Sequence, residues 1–366
     1  MSKIRIGIVG VGIIGKSHLD AYAKIPDVEI VAACDIDTPE LNRVCDKHNI
    51  KNRYEKFRDL LKRDDLDAVD VALHNNLHAP VTIEALRSGK HVYCEKPIAG
   101  SYFDGKAMIE EAKKCGKMLH IQLAFLYTRE TKIAKRLIEA GRLGHIYHAR
   151  STGFRRRGRP YVDGYATPQF VNTTTSGGGA LYDMGVYHIS QLLYLLGMPK
   201  VQRVTGRVYQ ETGMDETRRK LSNYNVEELG TGYVRFADNL TMDIIESWAI
   251  HMNAFEGSFI AGSKGGVRLA PLSYHTTTED VETNMTFEDI AADSRWHSLN
   301  SAVSYYDSSQ HHWVAALQGK VELLPTAQIA LQTMLISQGI YLSEKLGREV
   351  TVEEIEQAAV TTALKL

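Results

Sequence analysis

The sequence predicts an α/β protein in two parts: an N-terminal doubly wound parallel sheet, then an α+β region built on a large, mostly antiparallel sheet. Three observations lead there. The first 125 residues alternate β-rich runs with helix-like stretches, the rhythm changes after that, and across 201–269 strand follows strand with no helix between. Strands alternating with helices imply parallel βαβ units, whereas strands in direct succession imply antiparallel pairing. A length of 366 residues fits two domains, at about 150 residues each.

The strand-like runs of the first part are Ile4–Val9, Val28–Cys34, 68–73, His91–Cys94 and 118–123. Thr38-Pro39-Glu40 starts a helix, with Thr as cap, Pro in the first turn and Glu facing the dipole. Helices at 80–88 and 104–115 stop at Gly89 and Gly116. In the second part 129–140 is a helix stopped by Gly141, and 179–196 is one helix after a glycine-rich entry. Strands follow at Val201–Tyr209, 230–236, 241–248, 255–261 and 267–269, with a hairpin turn at 262–266. Residues 271–310 have no assignable pattern, and 326–344 is a long final helix. There is no internal repeat.

Composition excludes several classes. The chain has 43 basic and 44 acidic side chains, without the basic excess of a nucleic-acid binder. A hydrophobic content of 44% with 24% charged residues is ordinary for a globular protein. No apolar run approaches the roughly 20 residues that span a bilayer, and the first seven residues read as a strand and not as a signal peptide. Cys34, Cys45, Cys94 and Cys115 form no CxxC pair, so reduced thiols and a cytoplasmic location are expected. His74, His78, His145, His148, His311 and His312 make no metal set, and no metal is expected.

Gly10-Val11-Gly12-Ile13-Ile14-Gly15 is GxGxxG, between a strand and a predicted helix at 14–24. In that setting it is a dinucleotide fingerprint. Gly10 permits the tight turn, Gly12 the approach of a pyrophosphate, and Gly15 close packing of helix on strand. The helix start offers unpaired N–H groups to the phosphates. Asp35 ends the second strand, where a carboxylate accepts from ribose hydroxyls and repels a 2′-phosphate. Ile36 and Asp37 follow with no arginine, so NAD is favoured over NADP.

Three further motifs point to chemistry: Gly89-Lys90-His91-Val92-Tyr93-Cys94-Glu95-Lys96-Pro97, Gly177-Gly178-Gly179-Ala180-Leu181-Tyr182-Asp183-Met184-Gly185-Val186-Tyr187, and the closing 343–350 run. With these the chain resembles the Gfo/Idh/MocA oxidoreductases, which include glucose–fructose oxidoreductase and inositol dehydrogenase. The resemblance implies a Rossmann NAD-binding domain at 1–125 and a substrate-binding and oligomerisation domain at 126–366, with the last helix free to pack back on the first. It puts Lys96 beside the nicotinamide and extends the cofactor-facing set to Ile13, Ile14, Ile36, Leu73, His74, Asn75, His78 and Glu95. Many relatives have Thr-Pro-Asn where this chain has Leu73-His74-Asn75, and Asn-x-Arg where it has Ala124-Phe125-Leu126. The second departure favours larger or less polar substrates.

Physical chemistry supports Lys96 independently. A lysine at the carboxyl end of a parallel strand lies where open α/β sheets bind ligands, and desolvation lowers its pKa of about 10.4 toward working pH. Many relatives place a histidine four residues after the motif aspartate; here Tyr187 is there and His188 follows. On one continuous helix four steps return to within roughly 40° of Asp183, while five point about 140° away. Tyr187 is the first choice for proton transfer, and His188 the second. Arg155, Arg156, Arg157 and Arg159 precede Tyr161, Asp163 and Tyr165. They are either a solvated basic loop or a substrate loop in which Arg156, Tyr161 and Tyr165 hold a sugar.

The expected activity is NAD-dependent hydride transfer from a secondary hydroxyl of a sugar, cyclitol or glycoside, C3 of a glucoside included. Asp183 orients the substrate, while Lys96 with Tyr187 or His188 handles the proton. The alternatives are glycoside cleavage assisted by NAD without net redox change, and a non-catalytic dinucleotide sensor, against which Glu95-Lys96-Pro97 counts. The expected partners are a small carbohydrate and further copies of the chain through the C-terminal sheet, with no nucleic acid and no membrane.

Overall fold

The computed structural model describes residues 3–288 and 308–366. The chain forms two compact units. The first holds the residues up to Gln122, the stretch from 308 to Gln328, and Thr361–Leu366; the second runs on from Leu123 and takes in Ile329–Val360.

The first unit follows the predicted alternation: β1 (Ile4–Val9), α1 (Ile13–Tyr22), β2 (Val28–Cys34), α2 (Thr38–His48), β3 (Asn52–Tyr54), α3 (Phe57–Leu61), β4 (Ala68–Val71), α4 (Asn75–Arg87), β5 (His91–Cys94), α5 (Tyr102–Cys115) and β6 (Leu119–Ile121). The strands form one six-stranded sheet in the order β3-β2-β1-β4-β5-β6, with every pairing parallel. The order reverses between β1 and β4, and ligands bind such sheets at that switch point, beyond the strands' carboxyl ends. β3 escaped sequence reading because Asn-Arg-Tyr is a three-residue edge strand without apolar alternation.

Two helix starts differ from expectation. α2 is capped by Asp37, whose carboxylate accepts the Glu40 N–H at 3.1 Å, so Thr38 is already inside the helix. α4 begins at Asn75 and contains Pro80. Proline has no N–H to give the carbonyl four residues back; that carbonyl, on Asn76, accepts the Leu364 N–H at 3.0 Å instead. A returning C-terminal segment thus satisfies the helix where proline interrupts its ladder.

The second unit contains α6 (Arg129–Glu139), β7 (Ile146–Phe154), α7 (Thr173–Ser176), α8 (Ala180–Asp183), α9 (Gly185–Leu195), β8 (Val201–Tyr209), α10 (Glu216–Ser222), β9 (Leu229–Phe236), β10 (Thr241–Ser247), β11 (Phe259–Gly262), β12 (Gly266–Leu269), β13 (Leu272–Thr278) and β14 (Val281–Thr286). After α11 (Ser309–Leu317), which belongs to the first unit, come α12 (Thr326–Leu346), β15 (Val350–Thr351) and α13 (Val352–Ala358). The sheet is nine-stranded, ordered β14-β13-β12-β11-β7-β10-β9-β8-β15. All its pairings are antiparallel except β7 with β10, which is parallel. β7 was not anticipated, nor was α10, which interrupts the expected succession of strands between β8 and β9; β13, β14 and the start of α11 fall in the stretch left unassigned, of which 289–307 lies outside the described residues.

In the first unit Ile6, Tyr22, Ala68 and Tyr93 pack around Trp313 and Val314 of α11. In the second, α12 lies against the sheet where the strands carry glycine: a Cβ on Gly232 would come within 2.6 Å of Ile340. Among the described residues no helix is long and apolar enough to cross a membrane.

Candidate functional site

In the first unit the site begins where β1 ends. Gly10 has φ +94°, and a Cβ there would meet the Ala72 carbonyl oxygen at 2.3 Å. A Cβ on Gly15 would meet the Gly10 carbonyl oxygen at 2.1 Å. Both glycines are required by the protein's own packing. Gly12 differs: a Cβ there meets nothing within 4 Å, so the space beside it is open. Gly12 also caps α1 without a side chain, leaving the first-turn N–H groups available to an anion.

Asp35 accepts the Val11 N–H at 2.8 Å on one carboxylate oxygen and the Asp37 N–H at 3.0 Å on the other. Each oxygen has a second lone pair to offer ribose hydroxyls. Ile13, Ile14 and Ile36 are 62, 40 and 92% exposed around this turn. Aliphatic groups so placed suit the flat faces of a nucleoside. Uncapped N–H groups, open space at Gly12, a carboxylate followed by Ile36 and Asp37 and not by an arginine, and exposed aliphatic walls all fit NAD.

The ends of β4 and β5 form the other side. Leu73, His74 and Asn75 are half-buried where β4 passes into α4, and burial lowers the pKa of His74. His78 is fully buried and directs Nδ1 at the Pro97 carbonyl (2.8 Å) and Nε2 at that of Leu73 (3.0 Å). Its side chain braces the two strand ends and has no exposed surface to offer a cofactor, contrary to its place in the expected cofactor-facing set. Lys96 is half-buried at the end of β5. Glu95 beside it is 7% exposed, and its carboxylate accepts the Lys96 N–H at 2.9 Å and His18 Nε2–H at 2.9 Å. Nδ1 of His18 lies 2.9 Å from Asp70 Oδ1. Burial alone would lower the pKa of His18, but Asp70 and Glu95 outweigh it and raise it to about 10. An imidazolium clamped between two carboxylates therefore sits beneath the Glu-Lys-Pro strand end. Sequence reading missed it, because His18, Asp70 and Glu95 come from three separate elements.

In the second unit the glycine-rich motif packs tightly. A Cβ on Gly178 would meet the Tyr341 hydroxyl at 2.3 Å, and one on Gly179 the Glu227 carbonyl oxygen at 2.0 Å. The Glu227 carboxylate accepts the N–H groups of Gly179 (2.8 Å) and Leu181 (3.0 Å) and the Tyr341 hydroxyl (2.8 Å). It caps α8, which ends on Asp183.

The continuous helix assumed across 179–196 is not formed. α8 ends at Asp183, α9 begins at Gly185, and Met184 lies between them. Met184 keeps right-handed helical torsions (φ −94°, ψ −45°), so the break disturbs the helical phase on which the angular comparison of Tyr187 with His188 rests. What organises the residues is β10 and its continuation. Trp248 Nε1–H donates to Asp183 at 2.9 Å, and two residues earlier Glu246 receives His188 Nδ1 at 3.0 Å. Period-2 alternation puts Glu246 and Trp248 on one face. The Tyr187 and His188 rings flank Phe125, at centroid distances of 5.1 and 5.3 Å. Ala124 and Leu126 stand where many relatives have asparagine and arginine, and Phe125 between them lies against α9.

The arginine loop divides by role. Arg159 is fully buried, bonded to Asp163, Glu228 and the carbonyls of Thr212 and Gly213, which makes it architectural. Arg155 faces the motif aspartate, 3.9 Å from Asp183, and donates to the Tyr165 hydroxyl at 2.5 Å. Arg156 is exposed, Tyr165 is exposed, and Tyr161 is half-buried against the cluster around Val162 and Trp248. Arg155, Glu246 and Trp248 were not singled out from sequence; Arg155 was visible only as one of a basic run.

Comparison with known proteins follows the same division. The family described as "Oxidoreductase family, NAD-binding Rossmann fold" matches residues 4–123, and "GFO/IDH/MocA C-terminal domain" matches 131–268. D-glucoside 3-dehydrogenase of Escherichia coli is 26% identical over 357 residues, covering 95% of this chain and 97% of that protein. Inositol 2-dehydrogenase of Salmonella paratyphi B is 32% identical over 201 residues, covering 53% of this chain and 54% of its own. Among solved structures, levoglucosan dehydrogenase in complex with NADH superposes with a TM-score of 0.81 at 22% identity, over 96% of this chain and 99% of that one.

Proposed function

The chain belongs to the GFO/IDH/MocA oxidoreductases, and from that premise we propose that it oxidises a secondary hydroxyl of a sugar or glycoside, with C3 of a glucoside as the leading case. The observation that supports this most is the β10 face, where Trp248 holds the Asp183 carboxylate and Glu246 holds the His188 imidazole. A fixed carboxylate and a fixed imidazole are the groups that orient a polyol and take its proton. Full-length similarity to a glucoside 3-dehydrogenase supports the glucoside. Phe125 supports an apolar aglycone, since an aromatic wall favours a substrate with an apolar part.

NAD, when bound, supplies the hydride acceptor at its nicotinamide. Gly12 with the first turn of α1 holds the pyrophosphate, Asp35 the adenosine ribose, and Ile13, Ile14 and Ile36 line the nucleoside. Leu73, His74 and Asn75 line the nicotinamide side. Lys96 hydrogen-bonds the substrate hydroxyl, Asp183 orients the ring, and Tyr187 or His188 exchanges the hydroxyl proton. Arg156, Tyr161 and Tyr165 contact the outer part of the substrate. A cytoplasmic location agrees with four free cysteines. Self-assembly uses the sheet face opposite α12, where one cross-sheet row runs Thr205, Tyr233, Asp243, Arg150, Phe259.

The test is a panel of free sugars, cyclitols and aryl or alkyl glycosides, read by NADH absorbance and by mass spectrometry for loss of two hydrogens. Turnover of glycosides above free sugars is expected. Turnover without NADH accumulation and with release of the aglycone would replace dehydrogenation by net cleavage. Phe259→Asp is expected to lower the solution mass seen by light scattering, and an unchanged mass rules out this face.

A further inference from the structure

We propose that Glu246 is the positioning residue of a carboxylate–imidazole pair that makes His188, and not Tyr187, the group that takes the substrate's hydroxyl proton. This rests on the dehydrogenase reading above and deepens it.

The pair is built into the sheet. Glu246 is fully buried and makes two hydrogen bonds through different oxygens: Ser151 Oγ–H donates to Oε1 at 2.8 Å, and His188 Nδ1 lies 3.0 Å from Oε2. Ser151 comes from β7, the strand paired in parallel with β10, where Glu246 stands opposite Gly153. That glycine is the second sign of a made site. A Cβ on Gly153 would lie 2.0 Å from Glu246 Oε2 and 2.7 Å from His188 Cε1, so any larger residue would drive carboxylate and imidazole apart. Gly185 at the start of α9 serves the same end from the other side, a Cβ there lying 3.3 Å from Glu246 Cγ. Three positions therefore converge on this one bond.

Chemistry follows from which nitrogen is engaged. An ionised carboxylate only accepts, so Nδ1 carries the hydrogen and Nε2 is left with its lone pair in the neutral ring. In alcohol oxidation the carbinol C–H bond breaks and its electron pair leaves as hydride to the nicotinamide dinucleotide. The O–H bond breaks as its electron pair forms the carbonyl, and its proton goes to His188 Nε2. Nδ1–H stays donated to Glu246, which remains a carboxylate and stabilises the imidazolium. The charged groups acting on the imidazole are Glu246 on β10 and Arg155 beyond β7, and Arg155 in turn faces Asp183 at the end of α8. Tyr187 is the titratable neighbour on its own helix, Phe125 packs edge-on, and α6 meets α9 further along, where Gln191 donates to Thr131 at 2.7 Å. Burial and Arg155 press the pKa of His188 down; Glu246, helped by a hydrogen bond of the ring to the Met184 backbone, more than offsets them and leaves it raised.

The test compares Glu246→Gln, Ser151→Ala and Tyr187→Phe by two readouts. One is the His188 pKa from NMR titration of the imidazole nitrogens, read with no substrate present; the other is the pH profile of kcat/KM for the first substrate found. In Glu246→Gln the His188 pKa is expected to fall by about one pH unit, and the acidic limb of the profile to move down with it. Ser151→Ala removes a donor from Glu246, makes the carboxylate more basic and shifts both readouts slightly up, so the proposal stays testable even if Glu246→Gln misfolds. Tyr187→Phe leaves the acidic limb where it is. The proposal is overturned if His188 titrates identically in Glu246→Gln and wild type, or if its pKa moves and the kinetic limb does not. Because the NMR titration needs no turnover, failure of the sugar panel and failure of the pair are separately visible.

Discussion

At the scale of single residues, the three glycines of the nucleotide loop share a motif but not a reason. Gly10 and Gly15 are required by backbone atoms of the protein itself, at 2.3 and 2.1 Å, whereas Gly12 faces open space. Gly10→Ala should therefore destabilise the fold by about 1–3 kcal/mol, measured by denaturant unfolding. Gly12→Ala should leave the melting temperature unchanged and weaken NAD binding by about tenfold or more, a loss of about 1.4 kcal/mol, measured by calorimetry. Equal effects of the two on stability would refute the distinction. His18 gives a pH prediction. Its folded pKa is raised to about 10 from 6.5, so the stability that it adds is complete below pH 6.5 and lost as pH rises toward 10. The melting temperature should fall across that window, and the fall should be absent in His18→Gln; parallel curves would contradict the clamp.

At the scale of elements, short helices are decided by their ends. α8 has only four residues, and its cap comes from Glu227 on the approach to β9. Removing that carboxylate in Glu227→Ala strands the N–H groups of Gly179 and Leu181 and the Tyr341 hydroxyl, at a cost of about 1–3 kcal/mol. Because α8 ends on Asp183, kcat should fall more than KM rises. A variant that loses stability but keeps kcat would limit Glu227 to folding. The break at Met184 was not legible in the sequence: glycine-rich sequence reads as a helix start, but nothing local shows that a distant carboxylate caps one turn before the ladder is interrupted.

For the whole molecule, the decisive fact is that the dinucleotide unit is not contiguous in sequence. Trp313 and Val314 complete its core, and Tyr93 O–H donates to Ser309 at 2.9 Å. Asp104 accepts from Thr361 Oγ (2.6 Å) and from the Thr362 N–H (2.8 Å). A fragment cut at residue 125 loses all of these, so it should not unfold cooperatively by circular dichroism, although it contains the entire GxGxxG motif. In the full chain, NAD at about 100 times its Kd should raise unfolding stability by about 2.7 kcal/mol. A fragment 1–125 with a sharp, NAD-dependent melt would show that the returning segments are dispensable.

The sequence by itself determined whatever depends on short-range pattern. Alternating runs with glycine stops specified the parallel sheet, and Gly10-Val11-Gly12-Ile13-Ile14-Gly15 and Asp35 the dinucleotide end, because the steric needs of a turn are met within a few residues. Glu95-Lys96-Pro97 and the motif aspartate were legible as contiguous motifs that carry the family resemblance, and Lys96 also from its place at a strand end. Only the tertiary structure decided which side chains meet across long separations. It brought His18 to Asp70 and Glu95, Glu246 to His188, Trp248 to Asp183, and Trp313 into the core of the first unit. Those pairings arise from strand order and from the burial of charge, and a buried charge selects its partner by distance in space, which no local pattern encodes.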